Sequence, residues 1–255
     1  MSVFGGYAHY YDLLYRDKDY LSESIFLRNL IEKHHPNTRT ILELGCGTGG
    51  HAFHLAEKDL AVHGVDISHQ MLAEANKKRA TLTPGMAKNI VFSHGDARNV
   101  RIDNKFDCAI SLFHVLSYQT RNDDVMAAFQ TAKHHLNPGG IFIFDCWYGP
   151  AVLTTLPEVR IKRFEDSMYS IIRIAEPVMH PNMNLVDVNY TVLIKDKAKE
   201  TIEEQKETHS MRYFFYPEIE MLCRQNGFEL VDAQEWMSGN QPGFDTWSVS
   251  FVVRR

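Results

Sequence analysis

The stretch ILELGCGTGG at residues 41–50 passes from an apolar run into four glycines. Glycines placed behind a strand let backbone amides approach a bound nucleoside at the start of the next helix. The stretch reads in two registers. Gly45, Gly47 and Gly50 satisfy the dinucleotide spacing G-x-G-x-x-G, whereas Glu43, Gly45, Gly47 and Gly49 satisfy E-x-G-x-G, the spacing of sulfonium-cofactor sites. Asp66, about twenty residues further on, could accept hydrogen bonds from both hydroxyls of a ribose, as either register predicts. Gly95-Asp96 puts a carboxylate and adjacent amides where an adenine edge would lie, and a nicotinamide protein has no special need of one there.

A second group of residues could act on an acceptor. Phe113, His114, Ser117 and Tyr118 follow one apolar run, and Asp145, Trp147 and Tyr148 end another. An imidazole such as His114 is suited to proton transfer near neutrality, or else satisfies a local carbonyl. Tyr118 could hydrogen-bond an acceptor amine or pack as an amphipathic wall. Asp145 could orient a histidine or the acceptor, or cap the following turn. His114 and Tyr118 are the catalytic candidates. Arg160, Lys162 and Arg163, close together on the inserted strands, could receive a diphosphate, although a solvated strand edge is the more common explanation. Lys18 and Arg16 could meet a carboxylate or phosphate, or simply be solvated beside Asp17 and Asp19. The histidine pairs at 34–35 and 134–135 read as partners of terminal helix carbonyls, and no spacing argues for a metal.

These residues need a scaffold. Apolar runs at 40–44, 61–66, 90–94, 106–113 and 141–145 alternate with helical patterns at 51–58, 69–79 and 122–135, the pattern of strands joined by crossover helices. In the last helix Val125, Ala128, Phe129 and Ala132 form one apolar face. Pro138-Gly139-Gly140 then turns the chain into the next strand. From about 157 to 216 the period becomes two, with Val186, Val188, Tyr190, Val192 and Ile194 sharing one face. The expected architecture is α/β: a doubly wound, mostly parallel seven-stranded sheet carrying an inserted antiparallel β meander. Residues 1–36 are expected as an N-terminal helical lid, 37–156 and 217–255 as the cofactor-binding α/β domain, and 157–216 as the inserted subdomain. A helix at 217–226 and a final strand at 246–253 complete it.

Taken together, Glu43-Leu-Gly-Cys-Gly-Thr-Gly49, Asp66, Gly95-Asp96 and Leu136-Asn-Pro-Gly-Gly140 resemble the class I S-adenosylmethionine-dependent methyltransferases over nearly the whole chain. The resemblance implies S-adenosyl-L-methionine as cofactor. It implies Glu43, Gly45, Gly47 and Gly49 against the methionine part, and Asp66 with Ile67 at the ribose. It further implies Asp96 and Ala97 at adenine, and Tyr11 and Phe113 as further contacts, with the N-terminal tyrosines folding over as a lid. Tyr7, Tyr11 and Tyr15 also fall at helical spacing and could be one apolar helix face. Tyr11-Asp12-Leu-Leu-Tyr15, Lys18-Asp19-Tyr20, the 113–118 and 145–148 segments and the meander look more narrowly like nucleotide-sugar N,N-dimethyltransferases, and more distantly like glycine N-methyltransferase. In such relatives the extra sheet can cover the acceptor pocket and support a homodimer. SLFHVLSY departs from their short Ser/Gly-rich turn.

Composition narrows the field. With 255 residues, 44% hydrophobic and 23% charged, at a net charge of −5, the chain lacks the basic stripe that holds nucleic acid. Ser111-Leu-Phe-His114 also does not match the step that grips a flipped base. Four scattered cysteines suggest a reduced, cytoplasmic setting, and no run approaches a membrane span. The expectation is a small-molecule methyltransferase acting on an amine of a nucleotide-linked sugar. O-methylation, a dinucleotide oxidoreductase and a non-catalytic cofactor-binding module are the alternatives.

Overall fold

The computed structural model describes residues 14–57 and 60–255. Tyr7, Tyr11 and the first 13 residues of the expected lid lie outside them. The described chain opens with α1 (Tyr20–His34), whose first turn is capped by Asp19 accepting the Ser22 N–H at 2.9 Å. Then follow β1 (Thr40–Leu44), α2 (Gly50–Ala56), β2 (Ala61–Asp66), α3 (His69–Ala80), a single turn α4 (Pro84–Ala87) and β3 (Ile90–His94). Next come β4 (Phe106–Ser111), a 3-10 turn (Val115–Tyr118), α5 (Asn122–His135), β5 (Leu136–Tyr148) and α6 (Gly149–Thr154). The insertion holds β6 (Arg160–Glu165), β7 (Tyr169–His180), β8 (Leu185–Asp196) and β9 (Thr201–Phe214). The chain closes with α7 (Tyr216–Asn226), β10 (Glu229–Glu235) and β11 (Ser248–Arg254).

The strands form one mixed sheet of 11, in the order β3-β2-β1-β4-β5-β9-β8-β7-β6, with β11 antiparallel to β5 and β10 antiparallel to β11. The pairs β3-β2, β2-β1, β1-β4 and β4-β5 are parallel. The meander is therefore not a separate sheet. The end of β9 pairs with β5 at Trp147↔Tyr213 and Tyr148↔Phe214, which joins the insertion to the main sheet. Within it, β6 to β9 form antiparallel ladders.

Side-chain alternation explains the two cores. Leu42, Leu44, Ala109, Phe142 and Phe144 pack on one face with α5 and α7, and Ile41, Cys108, Ile110, Ile141 and Ile143 pack on the other with α1 and α2. Phe129 of α5 is fully buried and meets Phe142 and Phe144 edge-on at centroid distances of 5.7 and 5.3 Å.

Two boundaries differ from the sequence expectation for identifiable reasons. β4 stops at Ser111 because Phe113 and His114 are left-handed, with φ of 60° and 64°, which no strand accommodates. β5 begins before Pro138, because Leu136 pairs with Phe106 and Gly139 and Gly140 exchange backbone hydrogen bonds with Arg255.

Candidate active site

The carboxyl ends of β1, β2 and β4 converge on the glycine loop, as expected of a doubly wound sheet. Gly45 has φ of 84°, and a Cβ there would meet Val115 Cγ2 at 2.5 Å; Gly47 has φ of 54° and nothing within 4 Å of such a Cβ. The first glycine is demanded by packing. The second keeps open ground over the loop, where backbone and ligand can meet. Asp66 braces this bend, accepting the Gly47 N–H and the Ser68 N–H, each at 2.8 Å. Its oxygens retain acceptor capacity for a diol. Ile67, the next residue, is 57% exposed, an apolar side chain left beside the loop without cover.

Glu43 lies beneath the loop at 1% exposure. One oxygen sits 3.6 Å from His51 Nδ1, and the other, Oε2, is buried with no hydrogen-bond partner among the described residues. Burial pushes the Glu43 carboxyl up in spite of His51. A cationic group at Oε2 would hold it ionised, and the ammonium of a methionine moiety is such a group. These residues are of the kinds that S-adenosylmethionine needs: a buried carboxylate oxygen for an ammonium, a carboxylate with spare acceptor capacity for a ribose, and an exposed apolar side chain beside it. Asp96 is less free, since both its oxygens accept from Arg98, Nη2 at 2.6 Å included. Ala97 packs against the first core at the same corner.

A line of buried charge ties α1 to this loop. Lys18 Nζ donates to Glu23 Oε2 at 2.6 Å, and Glu23 Oε2 lies 2.7 Å from His51 Nε2. Burial opposes a charged His51, but the two flanking carboxylates outweigh it and raise its pKa.

The acceptor side is built on the left-handed step Phe113-His114. Two such non-glycine residues together cost on the order of 1–3 kcal/mol each, and steps of this kind collect at functional sites. Asp145 at the end of β5 holds the step: it accepts the His114 N–H at 3.0 Å, and its Oδ2 lies 2.7 Å from His114 Nδ1. Burial would raise Asp145, yet His114, with Lys18 behind it, holds its carboxyl below the usual value, so it is the ionised partner. Phe113 is edge-on to Tyr15 at 5.1 Å, with Lys18 Nζ 4.1 Å above its ring. Ser117 accepts the Trp147 N–H at 3.0 Å, a joint between the 3-10 turn and β5.

The insertion closes this edge. Tyr190 of β8 packs against two buried clusters, one also flanked by Tyr15 and Phe113 and the other by Tyr118 and Trp147. Arg173, on β7, lies 5.3 Å from the Tyr15 ring centre and 5.2 Å from that of Tyr190. Tyr118 Oη meets His209 Nδ1 of β9 at 2.8 Å. Sequence reasoning missed Arg173, Glu207 and His209. Their only signal is the period of two that turns Glu207 and His209 to one face of β9. Arg160, Lys162 and Arg163 are exposed on the outermost strand, which is the solvated-edge reading. Arg16 donates to the Glu165 carbonyl, and His135 Nδ1 lies 2.8 Å from the Thr131 carbonyl oxygen. No metal-ligating cluster occurs among the described residues, and no helix among them is long and apolar enough to cross a membrane.

Residues 41–140 match a family described as a methyltransferase domain. The chain is 25% identical over 239 residues to a dTDP-3-amino-3,4,6-trideoxy-alpha-D-glucopyranose N,N-dimethyltransferase of Streptomyces venezuelae, covering 93% of this chain and 94% of that protein. It is likewise 25% identical over 241 residues to a dTDP-3-amino-3,6-dideoxy-alpha-D-glucopyranose N,N-dimethyltransferase of Streptomyces fradiae, covering 94% and 88%. In fold it matches the crystal structure of an S-adenosylmethionine-dependent methyltransferase from Clostridium acetobutylicum with a TM-score of 0.81, at 24% identity and 98% coverage of both chains. Family match, full-length relatives and fold agree with the glycine loop and its acids: the chain is an S-adenosylmethionine-dependent methyltransferase of class I, and it resembles the sugar N-methyltransferases.

Proposed function

We propose that the chain methylates the amino group of a nucleotide-linked sugar or a similar small metabolite. The observation that carries this reading is the aromatic acceptor edge, where His114 lies beside Trp147, Tyr118 meets His209 of the insertion, and Arg173 lies between the rings of Tyr15 and Tyr190. The dimethyltransferase relatives, matched over nearly their whole length, supply the amino sugar as substrate class.

Bound S-adenosylmethionine supplies an electrophilic methyl group on a sulfonium sulfur. The protein's own work is to hold an uncharged lone pair in line with that methyl and to keep water out. Tyr118 and His114 are proposed to orient the acceptor nitrogen, with Asp145 fixing the imidazole by its contact to Nδ1 so that Nε2 faces the acceptor. Tyr15, Phe113, Tyr190 and Trp147 exclude water. Glu43, Gly45, Gly47, Gly49, Asp66 and Ile67 hold the cofactor, with Asp96 and Ala97 at its adenine end and Phe113 between cofactor and acceptor. The insertion, residues 157–216, is the acceptor-covering unit.

O-methylation has one observation in its favour. The His114–Asp145 pair is the kind of base a hydroxyl acceptor needs more than an amine does. Transfer of labelled methyl from S-adenosylmethionine to paired panels of dTDP-linked amino sugars and their hydroxyl counterparts separates the two. Labelling of the amines alone is the expected result, and labelling of the hydroxyl members alone overturns it.

A further inference from the structure

We propose that Glu207 and His209 form, with Tyr118, a proton path that carries the acceptor's surplus proton from the active face of the main sheet along one face of the insertion to a cavity at its surface. It rests on the amine reading above, because an amine nitrogen that gains a methyl becomes an ammonium and must then shed a proton. His114 and Asp145 provide for orientation at one side of the acceptor edge. The path begins at the other side, on a different strand.

The geometry is a chain of three groups. Tyr118 Oη is 2.8 Å from His209 Nδ1, and His209 Nε2 is 3.1 Å from Glu207 Oε2. A carboxylate accepts only, so Glu207 fixes the neutral imidazole with its proton on Nε2. Nδ1 is then the acceptor and Tyr118 the donor, which leaves the phenol oxygen with a lone pair for an acceptor N–H. His209 is buried, at 4% exposure, with the Tyr190 ring edge-on at 4.9 Å. Glu207 reaches further out. Its side chain is 13% exposed and lines, with Tyr190, Lys206 and Thr208, a surface cavity of about 350 Å³. The three groups thus run along one face of the insertion and end at Glu207, which lines the cavity.

The proton balance is simple. The ammonium gives one proton to Tyr118 Oη as the Tyr118 hydroxyl gives its own to His209 Nδ1. The resulting imidazolium passes its Nε2 proton to Glu207, and Glu207 releases it to water in the cavity. Net, one proton leaves, Tyr118 and Glu207 return to their starting states, and His209 is left with its proton on Nδ1; it regains the Nε2–H form by proton exchange with water at both ends of the path once the product has gone. Tyr118 can relay but not store a negative charge: burial pushes its phenol well above the ordinary value, with Tyr15, Tyr190 and Glu207 adding to that and Arg173 opposing. Among the described residues, Tyr15 faces it from the N-terminal segment, Arg173 from β7, Tyr190 from β8, and Glu207 and His209 from β9.

The first test needs no acceptor. In the full chain labelled with ¹⁵N-histidine, NMR is expected to show His209 as the Nε2–H tautomer, and Glu207→Gln is expected to abolish that preference. The Nδ1–H tautomer in the wild type overturns the path, since Nδ1 could then accept nothing. The second test uses a dTDP-linked 3-amino sugar. His209→Asn keeps a polar atom near the Nδ1 position but cannot pass a proton. Its kcat is expected to fall about 10²-fold, with KM for both substrates within about threefold and a changed pH profile. Imidazole is expected to restore turnover to His209→Gly. Unchanged kcat and pH profile in His209→Asn, or a loss that imidazole does not relieve, overturns the path and leaves His209 as packing. A wild-type chain that labels no amine overturns the amine reading instead, and the tautomer then decides for or against the path alone. The tautomer also decides if the His209 variants fail to fold.

Discussion

At the scale of single residues, the site divides into acids that bind and acids that aim. Glu43 presents a buried oxygen with no partner among the described residues, so Glu43→Gln is expected to weaken S-adenosylhomocysteine binding by roughly 1.5–3 kcal/mol, the value of a charge-assisted hydrogen bond, as read by calorimetry. Asp145 aims. Replacing it with Asn leaves the shape but removes the charge facing His114, and kcat/KM is expected to drop about 10²-fold while cofactor affinity stays within about threefold. The candidate cofactor acids stand out in the sequence because Glu43 is spaced to the glycines by a short loop and Asp66 ends the next apolar run. Tyr118 and His114 were legible as polar groups at a strand end, and Asp145 as the orienting partner of a histidine. His209 was not, because its partner Tyr118 lies 91 residues away and no local pattern records a contact made across an insertion.

At the scale of elements, periodicity predicts what burial then enforces. The expected helix at 122–135 is α5 itself, since its apolar face at Val125, Ala128, Phe129 and Ala132 is at most 4% exposed. Phe129 touches rings on β5 and at Phe228. Phe129→Ala is expected to cost about 3–5 kcal/mol in urea denaturation, through the cavity it leaves among aromatic neighbours. Where the sequence misled, the cause was a local conformation overruling a propensity. Phe113 is a good strand former by composition, yet the turn toward His114 and Asp145 holds it left-handed and ends β4 early. β6 was read only as a strand edge carrying Arg160, Lys162 and Arg163 and was given no bounds, for its mostly charged, exposed residues carry no clear alternation, and its ladder with β7 is what fixes its ends.

At the scale of the whole molecule, the buried line Lys18–Glu23–His51–Glu43 joins the N-terminal segment to the cofactor loop. His51 is raised by its carboxylates, so its contribution to stability is complete below the ordinary imidazole value and is lost as pH rises through the elevated one. The thermal midpoint is expected to fall as pH rises above the ordinary imidazole value of about 6.5, and His51→Gln to flatten that fall. The insertion meets the main sheet's backbone ladder through two residue pairs, Trp147↔Tyr213 and Tyr148↔Phe214, whereas β7 and β8 share twelve. So narrow a seam makes the insertion a cassette. A chimera carrying a relative's segment in place of residues 157–216 is expected to keep its affinity for S-adenosylhomocysteine and to inherit the donor's choice of amine. Such a chimera would retune what is methylated without retuning how the methyl is held.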